Sequence, residues 1–130
     1  MDPRQGLAIL LVIRDERLVS LCTRAFETKG FRVQRARGVV EAQRSLSRRP
    51  VVAVVVDPDG GKKKAVDEWF IVARAARTEP LPLLILFSEE GSRARIREAF
   101  DNGTDHYFLK TQTPPRDLAA AVRRLVDHLK

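Results

Sequence analysis

Val51 to Asp59 reads VVAVVVDPD. Val51 to Val56 are all apolar, and five of these six residues are the β-branched valine. A run with no polar face suits a central strand covered on both sides, and β-branched side chains favour the extended backbone. The run breaks off at Asp57, Pro58 and Asp59, with Gly60 and Gly61 behind them. In open α/β sheets ligands bind at the carboxyl ends of the strands, so a carboxylate at this end is placed for chemistry. The same residues also make an ordinary turn, since Asp, Pro and Gly all favour one. The neighbouring segments decide between the two.

Leu7 to Ile13, LAILLVI, is a second fully apolar strand, and it too ends in charge, at Arg14, Asp15 and Glu16. Acidic residues at a helix start suit the positive end of its dipole. Leu18, Leu21, Cys22, Ala25 and Phe26 follow at helical spacing, up to a closing Gly30. Phe31 to Ala36, FRVQRA, is shorter and more polar, which predicts a strand at a sheet edge. Val39 to Arg48 predicts a second helix with Val39, Ala42 and Leu46 inward, stopped by Pro50. Beyond Asp59, a loop with Lys62, Lys63 and Lys64 leads to a third helix marked by Trp69, Phe70, Val72, Ala73 and Ala76. Leu83 to Phe87 is the next strand and ends in Ser88, Glu89, Glu90 and Gly91. A fourth helix carries Ile96, Ala99 and Phe100 and ends near Asn102 and Gly103. Asp105 to Leu109 is the fifth strand, with Lys110 at its end. The fifth helix follows Pro115, with Leu118, Ala121, Val122, Leu125 and Leu129 at its apolar positions.

Five strand–helix repeats predict a parallel sheet with helices on both faces. Right-handed crossovers then give a three-layer, doubly wound α/β sandwich. The length of 130 residues fits one domain, 1–130, with a full core. The apolar runs are too short or too interrupted for a bilayer, and Met1 to Gln5 is polar, so neither a membrane span nor a secretory leader is expected. The lone Cys22 allows no internal disulfide and fits the buried thiol of a cytoplasmic protein. With only two histidines beside it, no zinc constellation arises. A net charge of +7 suits an acidic protein face or nucleic acid. The arginines are spread along the chain, aromatics are 6%, and no nucleic-acid-binding signature is present, which argues against direct nucleic-acid binding.

Asp15, Asp57, Ser88 and Lys110 all fall at strand ends, on one predicted crevice rim. Two carboxylates, Asp15 and Asp57, suit a hard oxygen-seeking ion such as Mg²⁺. A carboxylate is also a nucleophile toward phosphorus, giving an aspartyl-phosphate. The oxygens of such a group need neutralising, which a metal, the Lys110 ammonium and the Ser88 hydroxyl would do together.

With these pieces assembled, the chain resembles the receiver domain of bacterial two-component response regulators over essentially its whole length. The matching segments are LLVIRDE, VVVDPD, LILFS and GTDHYFLK. The resemblance implies the flavodoxin-like (βα)5 fold with strand order 2-1-3-4-5. It implies Asp57 as phospho-acceptor, with Mg²⁺ held by Asp15, Asp57 and the backbone carbonyl of Asp59. Ser88 and Lys110 would contact the phosphoryl group, and Tyr107, three residues before the lysine, would be the switch aromatic. The implied donor is a histidine kinase or phosphotransfer protein. The implied output is a changed face of the fourth helix, fifth strand and fifth helix, read by a downstream protein or effector domain, or by a second copy in a homodimer. No enzymatic activity is implied beyond taking up and losing that phosphoryl group. Arg93 and Arg97 lie four apart on this face, near Arg95, as a basic patch for an acidic partner.

Three positions depart from the family pattern. Arg14 stands where an acidic residue usually neighbours Asp15, so a cation replaces a metal-binding anion. It either fills the metal position or turns to solvent. Glu89 puts a large anion where a small residue usually follows the hydroxyl. Thr111 replaces the proline that usually follows the lysine, often through a cis peptide. These changes support an alternative reading, a degenerate pseudo-receiver that acts as a phosphorylation-independent interaction module. VVVDPDGG also resembles the first motif of haloacid-dehalogenase-type phosphatases, although that motif normally lies near the N-terminus and is joined by a later acidic pair.

Overall fold

The computed structural model describes residues 7–59 and 82–129. In chain order the elements are β1 (Ala8–Val12), α1 (Glu16–Thr28), β2 (Arg32–Ala36), α2 (Val39–Arg48) and β3 (Ala53–Val56). After the undescribed stretch come β4 (Leu83–Ser88), α3 (Arg93–Asp101), β5 (His106–Leu109) and α4 (Pro115–Asp127). The predicted third helix around Trp69 to Ala76, and Lys62 to Lys64, lie outside the described residues. The helices expected as fourth and fifth are therefore α3 and α4 here.

All five strands are parallel, in the order β2-β1-β3-β4-β5. The most apolar strands, β1 and β3, lie next to each other inside the sheet, and the polar β2 takes the edge, as its composition predicts. Their side chains alternate between two separate cores. Ile9, Leu11, Val55, Ile85 and Phe87 face one side, with Cys22 and Phe26 of α1 and Leu118 and Val122 of α4. Leu10, Val12, Val54, Val56 and Leu86 face the other, with Ala42 of α2 and Ala99 of α3. Each fully buried Leu, Ile or Val contributes about 1.5 to 3 kcal/mol, so strands apolar on both faces hold both layers at once.

Local signals set the helix ends. Asp15 caps α1 by accepting the amide of Leu18 at 3.0 Å. Gly30, at φ 88°, turns the chain out of α1 in a left-handed conformation that glycine adopts freely. Ser92 caps α3 by accepting the amide of Arg95 at 3.2 Å. Pro115 begins α4, where its missing N–H has no helical partner to lose.

Three of the apolar positions that mark the predicted helices lie outside the core. Leu21, Phe100 and Leu129 are 50%, 47% and 60% exposed. On α1 the predicted Cys22 and Phe26 are buried, and Leu18 and Ala25 pack beside them, but Val19 and Thr23 complete the inward stripe where Leu21 does not. Phe100 projects from α3, and Leu129 lies beyond the end of α4.

Cys22 is fully buried, and burial, with the Asp57 charge adding to it, pushes its thiol up to about 11. Only the thiolate is nucleophilic. Alkylation of Cys22 by iodoacetamide at pH 8 is therefore expected to run at least about tenfold slower in the native protein than in denaturant. Equal rates in both conditions would show that the α1 core opens freely.

Candidate active site at the carboxyl edge of the sheet

Parallel register brings the strand ends to one edge. Val12 pairs with Val56, Val56 with Leu86, and Ser88 with Leu109. The amide of Asp57 donates to the carbonyl of Val12 at 3.0 Å, and that of Lys110 to the carbonyl of Ser88 at 2.9 Å. The ladder thus continues one residue past each strand and fixes both backbones at the rim.

Asp57, Ser88 and Lys110 lie on one rim, with Ser88 joined to the other two through Asp59. Lys110 Nζ lies 2.8 Å from Asp57 Oδ2, and the Asp57 side chain is only 3% exposed. The same ammonium lies 2.8 Å from Asp59 Oδ2. The resemblance implies a role for the Asp59 backbone carbonyl alone, whereas its carboxylate is the most connected group of the site. Asp59 Oδ1 accepts the Ser88 hydroxyl at 2.9 Å, and Oδ2 also accepts the amide of Glu89 at 2.7 Å. The signal was local. The amide of Asp59 donates to Asp57 Oδ1 at 2.8 Å, an Asx-type turn across Pro58 that brings the second carboxylate back beside the first.

The charges follow from this sharing. Burial pushes the Asp57 carboxyl above the usual carboxylate value, against the pull of Lys110 and the Asp59 amide. For Asp59, burial is outweighed by hydrogen bonds from Lys110, Glu89 and Ser88, which hold it below the usual value. Burial opposes the Lys110 charge too, but the two carboxylates hold its pKa above that of an ordinary lysine.

Tyr107 is half-buried against the α2–α3 core, and its hydroxyl donates to the carbonyl of Glu90. The amide of Glu90 in turn donates to Ser88 Oγ at 3.0 Å. Glu90 Oε1 accepts the amide of Ser92, the cap of α3, at 3.2 Å. A continuous hydrogen-bonded path therefore runs from Asp59 through Ser88 and Glu90 to Tyr107 and the start of α3.

The remaining predicted residues lie around this centre. Asp15 is exposed, and one of its oxygens accepts the helix-capping bond. Arg14 is exposed, and its Nε donates to the carbonyl of Arg37 at 3.1 Å. The Glu89 side chain is exposed while its amide enters the site, and Thr111 is exposed after Lys110. Among the described residues no three His, Cys, Asp or Glu side chains are gathered to hold a metal. As arranged, one Asp15 oxygen caps α1, and Asp57 is bonded to Lys110 and to the Asp59 amide. The described residues do not gather the additional acidic pair that a haloacid-dehalogenase-type site needs.

The arginines that look dispersed in the sequence are in part gathered by the fold. Arg35, Arg44, Arg48 and Arg49 line an open cleft of about 430 Å³ between β2 and α2.

Comparison with solved structures decides the fold. A CheY-like response regulator receiver domain protein from Methanospirillum hungatei is 19% identical, with a TM-score of 0.78 over 94% of this chain and 94% of that one. An orphan response regulator of H. pylori is 18% identical, with a TM-score of 0.79 over 95% of this chain and 99% of that one. The fold is that of response regulator receiver domains. An atypical orphan response regulator with a phosphorylation-independent regulatory mechanism is also similar, at 18% identity and a TM-score of 0.77 over 93% of this chain and 96% of that one. No protein-family model and no curated protein matches the sequence. Within this fold, Asp57 stands at the end of the middle strand of the sheet, and Lys110 lies between β5 and α4. No helix among the described residues is long and apolar enough to cross a membrane.

Proposed function

We propose that this chain is a signalling receiver whose Asp57 accepts a phosphoryl group and whose α3–β5–α4 face carries the output. The observation that supports this best is the buried Asp57–Lys110 pair at the carboxyl edge of the sheet, with the Ser88 hydroxyl at the end of the neighbouring strand. In the step proposed, an Asp57 carboxylate oxygen attacks the phosphorus of a phosphohistidine on a kinase or phosphotransfer protein. The new O–P bond forms as the P–N bond breaks, and the departing imidazole takes up a proton. Lys110 offsets charge on the phosphoryl oxygens, and Ser88 donates a hydrogen bond to one of them. Mg²⁺ would be held by Asp15, Asp57 and the Asp59 carbonyl, and its charge would add to that of Lys110 on the phosphoryl oxygens.

The output face presents exposed Arg93, Arg97 and Phe100 at i, i+4 and i+7 of α3. Two cations in one stripe with an exposed aromatic ring suit an acidic protein partner with an apolar anchor point, or the same face of a second copy.

A second reading, phosphorylation-independent docking through this face, is favoured by one observation. The donors a phosphoryl group needs already bind the Asp59 carboxylate. Intact-mass measurement after incubation with acetyl phosphate, with and without Mg²⁺, tests the first reading. Gain of one phosphoryl group, lost in Asp57→Asn, is the expected result. No gain under either condition would leave the second reading.

A further inference from the structure

Three donors from two strand ends converge on the Asp59 carboxylate. They are the Lys110 ammonium at the end of β5, the Ser88 hydroxyl at the end of β4, and the Glu89 amide in the loop beyond it, at 2.8, 2.9 and 2.7 Å. One cation and two directional dipoles aimed at the two oxygens of one carboxylate form a site for a small oxyanion. Asp57 uses only Lys110 from this set. We propose that the Asp59 carboxylate is the resident ligand of this oxyanion site, standing in for a phosphoryl group and holding the path to Tyr107 in its anion-bound arrangement. The comparison with phosphoryl rests on Asp57 being the acceptor, whereas the role of Asp59 as internal ligand does not.

Two consequences follow from the geometry. The first is competition. A phosphoryl group on Asp57 would need the same ammonium, hydroxyl and amide, and would bring a second anion to a lysine already shared by two carboxylates. Like charges around one ammonium oppose each other, so Asp59 slows phosphoryl uptake unless it swings away. At 23% exposure its side chain has an outlet to solvent. The second consequence is transmission. With its proton directed to Asp59, Ser88 Oγ is left to accept the amide of Glu90. Glu90 in turn holds the Tyr107 hydroxyl through its carbonyl and the α3 cap through its carboxylate. Without an anion at the site the Ser88 hydroxyl is free to rotate, and the bond to Glu90 loses its fixed partner. In this state α3 and Tyr107 are set by a residue of the chain itself, with no phosphoryl group required.

Backbone-amide NMR on the full chain and on its Asp59→Ala and Asp59→Asn variants tests this, with Mg²⁺ and beryllofluoride as the probe. The Ser88, Glu89, Glu90 and Tyr107 resonances of the parent are expected to move little on adding the probe. In Asp59→Ala they are displaced without it and return toward the parent positions once it is added. Asp59→Asn, which keeps an acceptor oxygen but loses the charge, is expected to fall between. Acetyl phosphate should label Asp57 in Asp59→Ala at least about tenfold faster than in the parent, as expected when one competing anion is removed from a shared cation. If Asp57 is labelled in neither protein but the resonances still shift in Asp59→Ala, the acceptor reading fails and the internal ligand stands. If both Asp59 variants leave the Ser88, Glu90 and Tyr107 resonances in place, or the parent responds to the probe as fully as Asp59→Ala, the internal-ligand proposal is overturned.

Discussion

Lys110→Met is expected to lower the stability of the protein by about 2 to 3 kcal/mol at pH 7 in metal-free buffer. Methionine has a comparable length and fills the apolar part of the space, so the loss isolates the charge. Lys110 is the cation that Asp57 and Asp59 share, at 2.8 Å from each. Its removal leaves two carboxylates together, one of them 3% exposed. Breaking a fully enclosed pair costs about 3 to 5 kcal/mol, and the 23% exposure of Asp59 to water reduces that figure here. The pH dependence has a definite sign. Asp59 has a lowered pKa, so its contribution is present above the ordinary value of 3.8 and is lost as pH falls through the lower folded value. Lys110 has a raised pKa, so its contribution is present below the ordinary 10.5 and is lost only as pH climbs through a higher folded value. The deficit of Lys110→Met is therefore full between these limits and shrinks in acid as the carboxylates protonate. Urea unfolding of both proteins at neutral and acidic pH reads it directly. Matching midpoints at pH 7 would mean that solvent already screens the two acids.

Asp57→Asn is expected to act in the opposite direction and raise stability at pH 7, because one buried charge is removed while the lysine keeps another partner. Burial outweighs the attraction of Lys110 at Asp57, so its folded pKa lies above the ordinary 3.8. A carboxyl shifted this way contributes fully below the unfolded value and loses that contribution as pH rises through the folded value. At neutral pH the ionised Asp57 is therefore a net burden on the fold. Asparagine has nearly the same shape and keeps an oxygen for the Asp59 amide, and Lys110 still pairs with Asp59. The gain should disappear toward and below pH 3.8, where the parent carboxyl is also neutral. Denaturation of both proteins across pH 4 to pH 8 follows it. A less stable variant at pH 7 would mean that the Asp57–Lys110 attraction exceeds the penalty of burial. Because the two substitutions share partners, their effects are expected not to add.

This architecture was legible in the sequence because its strands are one-sided in meaning even where they are two-sided in burial. VVAVVVD and LAILLVIRD state both that a segment lies inside a sheet and which end carries charge. FRVQRA states an edge by its polarity, and the fold places it there. From alternation alone the five parallel strands follow, and from the strand ends the shared rim of Asp57, Ser88 and Lys110. The helix faces were read less well. Periodicity marks Leu21 and Phe100 as apolar positions but does not say that the stripe facing the sheet runs beside them. What the sequence could not decide was the use of polar groups that have more than one local partner available. Asp15 and Asp59 are both strand-end acids with a backbone amide nearby. One caps a helix and remains in solvent. The other is folded back by an Asx-type turn and meets donors from β4 and β5 that are 29 to 51 residues away in the chain. Composition and periodicity thus determined the sheet, its order of burial and the location of the acidic edge, because those depend on apolar surface summed over whole segments. The tertiary structure alone decided which carboxylate holds the lysine, the hydroxyl and the amide, because that depends on distances of a few ångströms between residues remote in sequence.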